Sequence, residues 1–447
     1  MKLSEWATPG IGVKRWLFQM LIGIFFVSYA MIGFIGGTEV GVKAKAFLFF
    51  VLMVGILITI LGLNQYTKKV MTIMRLEELD FSKIDKNHED KIQRKNLLIK
   101  GPKIVVIGGG TGLSNMLRGL KKYTFNITAI VTVADDGGGS GMLRQDLGML
   151  PPGDIRNCII SLADTEPLME KLFRYRFKDG ALENQSFGNL FLAAMNGVSD
   201  NFLEAVKKTS EVLAVTGQVL PVTLENVELY ARLENGSIVR GESSIPMESL
   251  NQNSPIERVF LEPEGAKGIQ EAIDAILDAD AVVLGPGSVY TSIIPNLMVK
   301  DVKEALLKTE ALKIYVSNVM TQPGESDNYS VEDHIRAIMR HCEGINLDYT
   351  IVNKGDTNEE EHIKERYLQK GSNLVKRDGK PDSSVKTKYI ECDMIKIKRE
   401  LIRHDEDKLA KILMKTIVTR CMRQGNRRIE EYMQLAHEMK KEKKDKE

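Results

Sequence analysis

Two long apolar runs dominate the first 65 positions. From 16 to 35 only Gln19, Ser28 and Tyr29 interrupt a hydrophobic stretch, and from 46 to 63 only Thr59 does. Each approaches the roughly 20 residues a helix needs to cross a hydrocarbon core. Between them, 38–45 holds Glu39, Lys43 and Lys45 and has the length of a helical hairpin turn. Lys14 and Arg15 precede the first run and Lys68, Lys69 and Arg75 follow the second, so the positive-inside rule puts both termini and the main domain on the cytoplasmic side of a cell membrane. A cleaved signal peptide would leave the second run without a role, and Ser28-Tyr29-Ala30 is a poor cleavage signal. The pattern predicts a two-span anchor over 1–65.

The register then changes. Positions 66–101 read as a linker or stalk, with a short amphipathic helix at 71–79 and a charged, exposed stretch at 83–95. Beyond it the apolar positions alternate between two periods. A β-branched run at 103–107 ends in Gly108-Gly109-Gly110-Thr111-Gly112, and Leu113, Met116, Leu117 and Leu120 then follow helical spacing. Further strands are expected at 127–133, 281–284, 313–316 and 349–352, with helices at 266–278 and 331–340. Strands alternating with helices predict an α/β fold over 102–417: a Rossmann-like parallel sheet with helices on both faces. A helix is expected over 404–423, and 418–447 reads as a charged helical tail.

Ligands of such sheets bind beyond the carboxyl ends of the strands, and three predicted strand exits carry chemistry. The first is the glycine loop, whose backbone N–H groups open a helix and attract an anion. Leu113 stands where the third fingerprint glycine would be, and no G-K-[ST] occurs, so neither a strict dinucleotide fingerprint nor a Walker A loop is present. The second exit, Gly285-Pro286-Gly287-Ser288, repeats this chemistry. The third runs through Asn318 and Thr321, whose neutral groups can read a base or sugar.

Asp135 and Asp136, before the flexible run that includes Ser140, suit a ribose hydroxyl or a hydrated Mg²⁺. Asp154, Arg156 and Asn157 lie together at the start of a helix, where Asp154 reads equally as an N-cap or an acid/base group. Asn189 reads as a cap or a ligand contact.

Composition narrows the function classes. Lys and Arg number 61 against 60 Asp and Glu, so the net charge of +1 gives no global electrostatic case for nucleic acid. Cys158, Cys342, Cys392 and Cys421 form no C-x-x-C pair and the six histidines no metal motif, which argues against a structural transition-metal site.

The segments GGGTGLSNMLRGLK, ITAIVTVADDGGGSG, LPPGDIRNCI, LFRYRF, FGNLFLAAM, LGPGSVYTSIIPNL and VSNVMTQPGE, in this order, resemble the YvcK family of gluconeogenesis factors. That family is related to the CofD-type 2-phospho-L-lactate transferases. The resemblance runs from about 103 to about 413, where Arg403-His404-Asp405 also matches. It implies a nucleotide-sugar ligand of the UDP-N-acetylglucosamine kind and a regulatory role between central carbon metabolism, cell-wall synthesis and cell shape. It also leaves room for a homo-oligomer and for cell-wall-synthesis proteins as partners.

On this reading the diphosphate rests on Gly108 to Gly112 and Gly285 to Ser288, Asp135 or Asp136 meets a ribose or metal, and Asn189, Asn318 and Thr321 read the sugar or base. In the transferases an aspartate in the segment matching 151–157 contacts the acceptor, and Asp154 inherits that role. The alternative function is a transferase using a nucleotide diphosphate donor and Mg²⁺; a Rossmann dehydrogenase is a third. Two departures stand out: Gly139 replaces the family's usual Ser, and typical members lack the apolar hairpin.

Overall fold

The computed structural model describes residues 13–36, 41–75, 95–164, 167–354, 361–379, 385–398 and 400–446. The chain divides into two compact units, one of Met1–Gln93 with Val418–Glu447 and one of Arg94–Ile417.

In the first unit the apolar runs form helices α1 (Val13–Gly36) and α2 (Val42–Arg75). Their apolar stretches, 20 and 26 residues long, measure about 30 and 39 Å at the helical rise, enough for a bilayer core. Large side chains point outward: Phe18, Phe25, Ile32, Phe47 and Phe50 are all at least 60% exposed. The inner seam is made of glycine. A Cβ on Gly23 would lie 2.8 Å from the Gly55 carbonyl oxygen, and one on Gly55 2.9 Å from that of Gly23. Small residues at the seam let two backbones approach closely, which is how helices associate where no water drives them together. The geometry is compatible with a membrane hairpin.

The second helix is longer than its apolar pattern. Nothing in 64–75 breaks a helix, so it continues through Arg75, and Met71–Arg75 form its last turn rather than a separate element. The rest of the expected 71–79 helix and nearly all of the charged 83–95 stretch lie outside the described residues.

The second unit holds a parallel sheet. Strands β1 (Ile104–Gly108), β2 (Ile127–Val131) and β3 (Gln218–Pro221) come first, and β4 (Glu228–Leu233), β5 (Ile238–Arg240) and β6 (Ile256–Glu262) form a separate antiparallel sheet. Then come β7 (Ala281–Leu284), β8 (Leu312–Val316), β9 (Tyr349–Asn353), β10 (Lys388–Cys392) and the hairpin β11 (Ile395–Lys398) and β12 (Leu401–His404). The seven parallel strands lie in the order β10-β9-β8-β7-β1-β2-β3. β1 and β7 are buried throughout, as their unbroken β-branched and Leu sequences require for strands covered on both faces. From β1 the chain moves one way along the sheet, and from β7 the other. The crevice between them is the switch point at which ligands of open α/β sheets bind.

The helices that matter to this crevice are α3 (Gly110–Leu120), α4 (Gly138–Leu147), α5 (Gly153–Leu162), α6 (Phe187–Gly197), α7 (Ser244–Asn251), α8 (Gln270–Leu277), α9 (Val331–His341), α10 (Glu361–Gln369) and α11 (Glu406–Arg423), after which α12 (Arg427–Lys446) ends the described chain. Ser330 and Asp333 form a capping box that starts α9. The helix expected from 404 starts later, because Asp405 Oδ1 accepts the N–H groups of Asp407 and Lys408 and so caps α11, while His404 closes β12. The helix expected over 266–278 is shorter for a different reason: residues before α8 run extended up to Ile269.

Gly119 sets how closely α3 and α11 pack, since a Cβ there would fall 2.1 Å from the Glu406 carbonyl oxygen. Backbone cannot yield cheaply, so Gly119→Ala is expected to destabilise the protein by about 1–3 kcal/mol through overpacking. Urea unfolding of the full chain in detergent, followed by circular dichroism, measures this. An unchanged midpoint would mean that the two helices do not meet so closely.

Candidate functional site

The carboxyl ends of β1 and β7 release two glycine loops that touch. A Cβ on Gly112 would lie 2.6 Å from the Pro286 carbonyl oxygen, and one on Gly287 3.3 Å from that of Gly109. Gly110 (φ +69°) and Gly285 (φ +74°) hold the left-handed backbone that lets each loop turn back toward the other. α3 begins without a side-chain cap. Gly110 N–H donates to Asp154 Oδ2 at 2.7 Å, and Thr111 and Gly112 stand at the cavity wall as N-terminal helix residues whose amides have no intrahelical acceptor.

The exit of β8 fastens the second loop. Asn318 Oδ1 accepts the Gly287 N–H at 3.2 Å, and the Gln322 amide donates to the Ser288 hydroxyl. Thr321 is itself tied to a strap at 372–375: its N–H donates to the Asn373 carbonyl at 2.7 Å, and its hydroxyl oxygen accepts the Asn373 N–H at 2.8 Å.

Around these loops lies a cavity of about 630 Å³, within the usual range for a small-molecule site. Its lining is chemically divided. Asp135, Asp154 and Glu242 form an acidic group, whereas Lys370 and Arg403, with Tyr367 and His404, come from the region of α10 and β12. His404 Nε2 lies 3.0 Å from the Ser317 carbonyl. That oxygen can only accept, so Nε2 carries the proton. Burial holds the ring near a pKa of about 4, and the imidazole is therefore neutral with a free lone pair on Nδ1.

The acidic group is protonated more readily than ordinary carboxyls. Burial raises Asp154 to about 6, with the Asp135 charge adding to it against the Gly110 N–H and Arg156. Burial also raises Asp135. Glu325, 8% exposed, is lifted by burial to about 7, and Glu242 by burial and then by Asp135 and Glu325 to about 8. The Thr291 hydroxyl donates to Glu325 Oε1 at 3.3 Å.

Of the residues singled out in the sequence, the cavity brings together Gly109, Gly110, Thr111, Gly112, Asp135, Asp154, Gly287, Ser288, Asn318 and Thr321. Gly108 and Gly285 lie just beneath, at the strand ends, where a Cβ on Gly108 would sit 3.8 Å from the Gly285 Cα. The remaining residues support the site and do not line it. Arg156 donates to Asn189 Oδ1 at 2.7 Å and to Asn157 Oδ1 at 2.8 Å, and also bonds Ser186, while burial and then Arg176 and Arg174 lower it to about 10. Ser140 stands beside Asp135, a Cβ on Gly153 meeting both Ser140 Oγ and Asp135 Oδ2.

The adjacent aspartates do not act as a pair. Asp136 Oδ1 accepts the Ser243 N–H at 2.9 Å, and Asp135 Oδ1 accepts the Gly137 N–H at 2.9 Å. Only Asp135 reaches the cavity, and among the described residues no three His, Cys, Asp or Glu side chains are grouped to hold a metal ion. Glu242, Tyr367 and Lys370 carried no sequence signal, because each sits outside any glycine-rich or strand-exit motif.

The family model described as 2-phospho-L-lactate transferase CofD matches residues 104–395. A Clostridium acetobutylicum protein, provisionally named a gluconeogenesis factor, is 54% identical over 445 residues, covering 99% of this chain and 98% of its own. The Bacillus subtilis gluconeogenesis factor is 46% identical over 314 residues, 70% of this chain and 97% of its own. A crystal structure of a Bacillus halodurans protein superposes with a TM-score of 0.66 at 42% identity, covering 70% of this chain and 99% of that one. The Clostridium match extends through the apolar hairpin; the shorter relatives match a share of the chain that corresponds to the body alone.

The raised carboxyls have a consequence for stability. A group with a folded pKa above its unfolded value of about 4.3 stabilises fully below that value and loses its contribution as pH rises through the folded pKa. For Glu242 the window runs from the unfolded value up to about 8. Glu242→Gln is therefore expected to raise stability at pH 8 by about 1–3 kcal/mol and to leave it nearly unchanged at pH 5. Thermal unfolding of the two proteins at both pH values checks this, and equal shifts at pH 5 and 8 would contradict it.

Proposed function

Because this chain belongs to the gluconeogenesis-factor family that carries the CofD domain, we propose that it is a nucleotide-sugar-binding regulator, tethered to the cytoplasmic face of the cell membrane by its N-terminal hairpin. Its ligand is of the UDP-N-acetylglucosamine kind, and its role is to couple central carbon metabolism to cell-wall synthesis and cell shape. The observation that carries this reading is the cavity of about 630 Å³ at the β1/β7 switch point, where two interlocked glycine loops meet the basic residues Lys370 and Arg403.

The chemistry of each part supports it. Helix N-terminal amides and the two basic side chains supply positive potential for a diphosphate. Tyr367 offers a ring against which a base can stack. The acidic residues accept hydrogen bonds from sugar hydroxyls, and the burial that raises Glu242 and Glu325 lessens their repulsion of an anionic ligand. Gln322 Oε1 and Glu325 Oε2 are buried without a partner among the described residues, as is expected of polar atoms completed by a ligand.

The test is calorimetry of the full chain, extracted from membranes in detergent, against UDP-N-acetylglucosamine. Saturable heat is expected, and Arg403→Ala is expected to weaken binding more than tenfold, the loss of a charged contact. No heat at millimolar ligand would sink the proposal.

A second reading keeps the cavity and adds turnover. It is favoured by Asp154, a carboxyl held at about 6, and therefore mostly ionised at pH 7, beside the anion loop. Asp154 would take the proton of an acceptor hydroxyl while the oxygen bonds to phosphorus; the bond from that phosphorus to the bridging oxygen breaks, and a nucleoside monophosphate leaves. Asp154→Asn is expected to slow nucleotide release at least 100-fold with ligand affinity little changed. Undiminished turnover in that variant would remove this reading.

A further inference from the structure

The nucleotide-sized cavity uses the exits of β1, β7 and β8. The next two strands of the sheet have their own exit site. Val352, Asn353 and Lys354 at the end of β9, Glu391 on β10 and the segment 374–377 enclose a pocket of about 280 Å³. No residue is common to the linings of the two cavities.

The charge of this pocket is unbalanced. Lys354, Lys376 and Arg377 line it, against Glu391 alone. Arg377 is already satisfied: it bonds Glu391 at 2.9 Å and Glu332 at 3.3 Å, and its guanidinium lies 3.8 Å above the Tyr389 ring. Glu332 in turn accepts the Asp378 N–H at 3.1 Å, and its side chain is 2% exposed. Arg377 thus serves as a fixed cationic wall shared between Glu391 and the buried Glu332. Lys354 and Lys376 are left with no ion-pair partner among the described residues, although their backbones are fixed. The Lys354 N–H donates to Cys392 O at 2.9 Å, and the Lys376 carbonyl accepts from Val331 N–H at 3.0 Å.

We propose that this pocket is a separate site for a small dianion of the phosphomonoester class. Two ammonium groups without an ion-pair partner among the described residues, set beside the guanidinium wall, match the charge of such a group, and 280 Å³ admits it with a small substituent while excluding a nucleotide sugar. The pocket is mechanically linked to the main cavity. Its floor continues the 372–375 strap: Val375 N–H donates to Val319 O at 2.9 Å, two residues before Thr321, which grips Asn373. Occupancy of the small site therefore bears on the loop that lines the large one, which makes its ligand an effector. The site itself stands on its own residues and does not depend on what fills the main cavity.

The test uses the full chain in detergent at constant ionic strength, titrated with inorganic phosphate and with glycerol 3-phosphate by calorimetry. Saturable binding in the millimolar range or tighter is expected. Lys354→Ala with Lys376→Ala should weaken it at least tenfold, whereas Arg403→Ala, which alters the main cavity, should leave it unchanged. Arg377 is avoided, because its loss would strand the buried Glu332. Circular dichroism confirms that the double variant folds. A soluble ligand competes in detergent; a lipid-borne phosphomonoester instead binds through the same lysines only in nanodiscs containing phosphatidic acid, compared with neutral ones. Wild-type phosphate binding by the double variant, its loss in Arg403→Ala, or the absence of binding to every probe overturns the proposal.

Discussion

Everything in the body of this protein depends on two backbones being allowed to touch. At the β1/β7 crevice the Gly112 and Pro286 segments approach so closely that a single methyl group would collide with a carbonyl oxygen. That contact fixes the loops after two neighbouring strands as one surface, and the surface presents amide groups instead of side chains. Asn318 and Gln322 then fasten the second loop from the β8 exit, and Asp154 fastens the first from α5. Two helix starts and three strand ends are thereby held in register by hydrogen bonds that a glycine-to-alanine change would disturb.

This construction explains how a chain of nearly zero net charge can still present a locally positive surface in its cavity. The positive potential is local and comes from peptide dipoles and from two basic side chains carried on a late-arriving segment of the sequence. The same locality lets the cavity tolerate an acidic group, since burial keeps part of that group's charge suppressed.

Much of the sheet was legible in the sequence because its inner strands are short β-branched runs, two of which, β1 and β7, lead into glycine loops. The predicted strand at 281–284 coincides with β7, the one at 349–352 is a residue short of β9 at one end, and the one at 103–107 is shifted from β1 by one residue at each end. The edge strands β3 and β10 and the antiparallel β4–β6 sheet lacked that signature, since half-exposed strands mix polar and apolar positions, as Glu228 to Leu233 does. Site residues divided in the same way. Those on glycine-rich exits announced themselves, whereas Glu242, Tyr367 and Lys370 reach the cavity only through tertiary placement of elements whose own sequences are ordinary. Arg156, Asn157 and Asn189 had the right chemistry in the right place along the chain, but they bond one another behind the site, a distinction that no one-dimensional pattern carries.

The burial that lifts Glu325 to about 7 and Glu242 to about 8 gives the cavity a property beyond shape. A site that stores a proton near neutrality behaves as a buffer, and any ligand that enters changes the affinity of that buffer for protons. Binding is then never a reaction of ligand and protein alone. It takes up or expels hydrogen ions in a fraction set by the ambient pH, and the heat of association measured in two buffers differs by their ionisation enthalpies. On the function proposed above, occupancy of the cavity is in this way tied to the acidity of its surroundings.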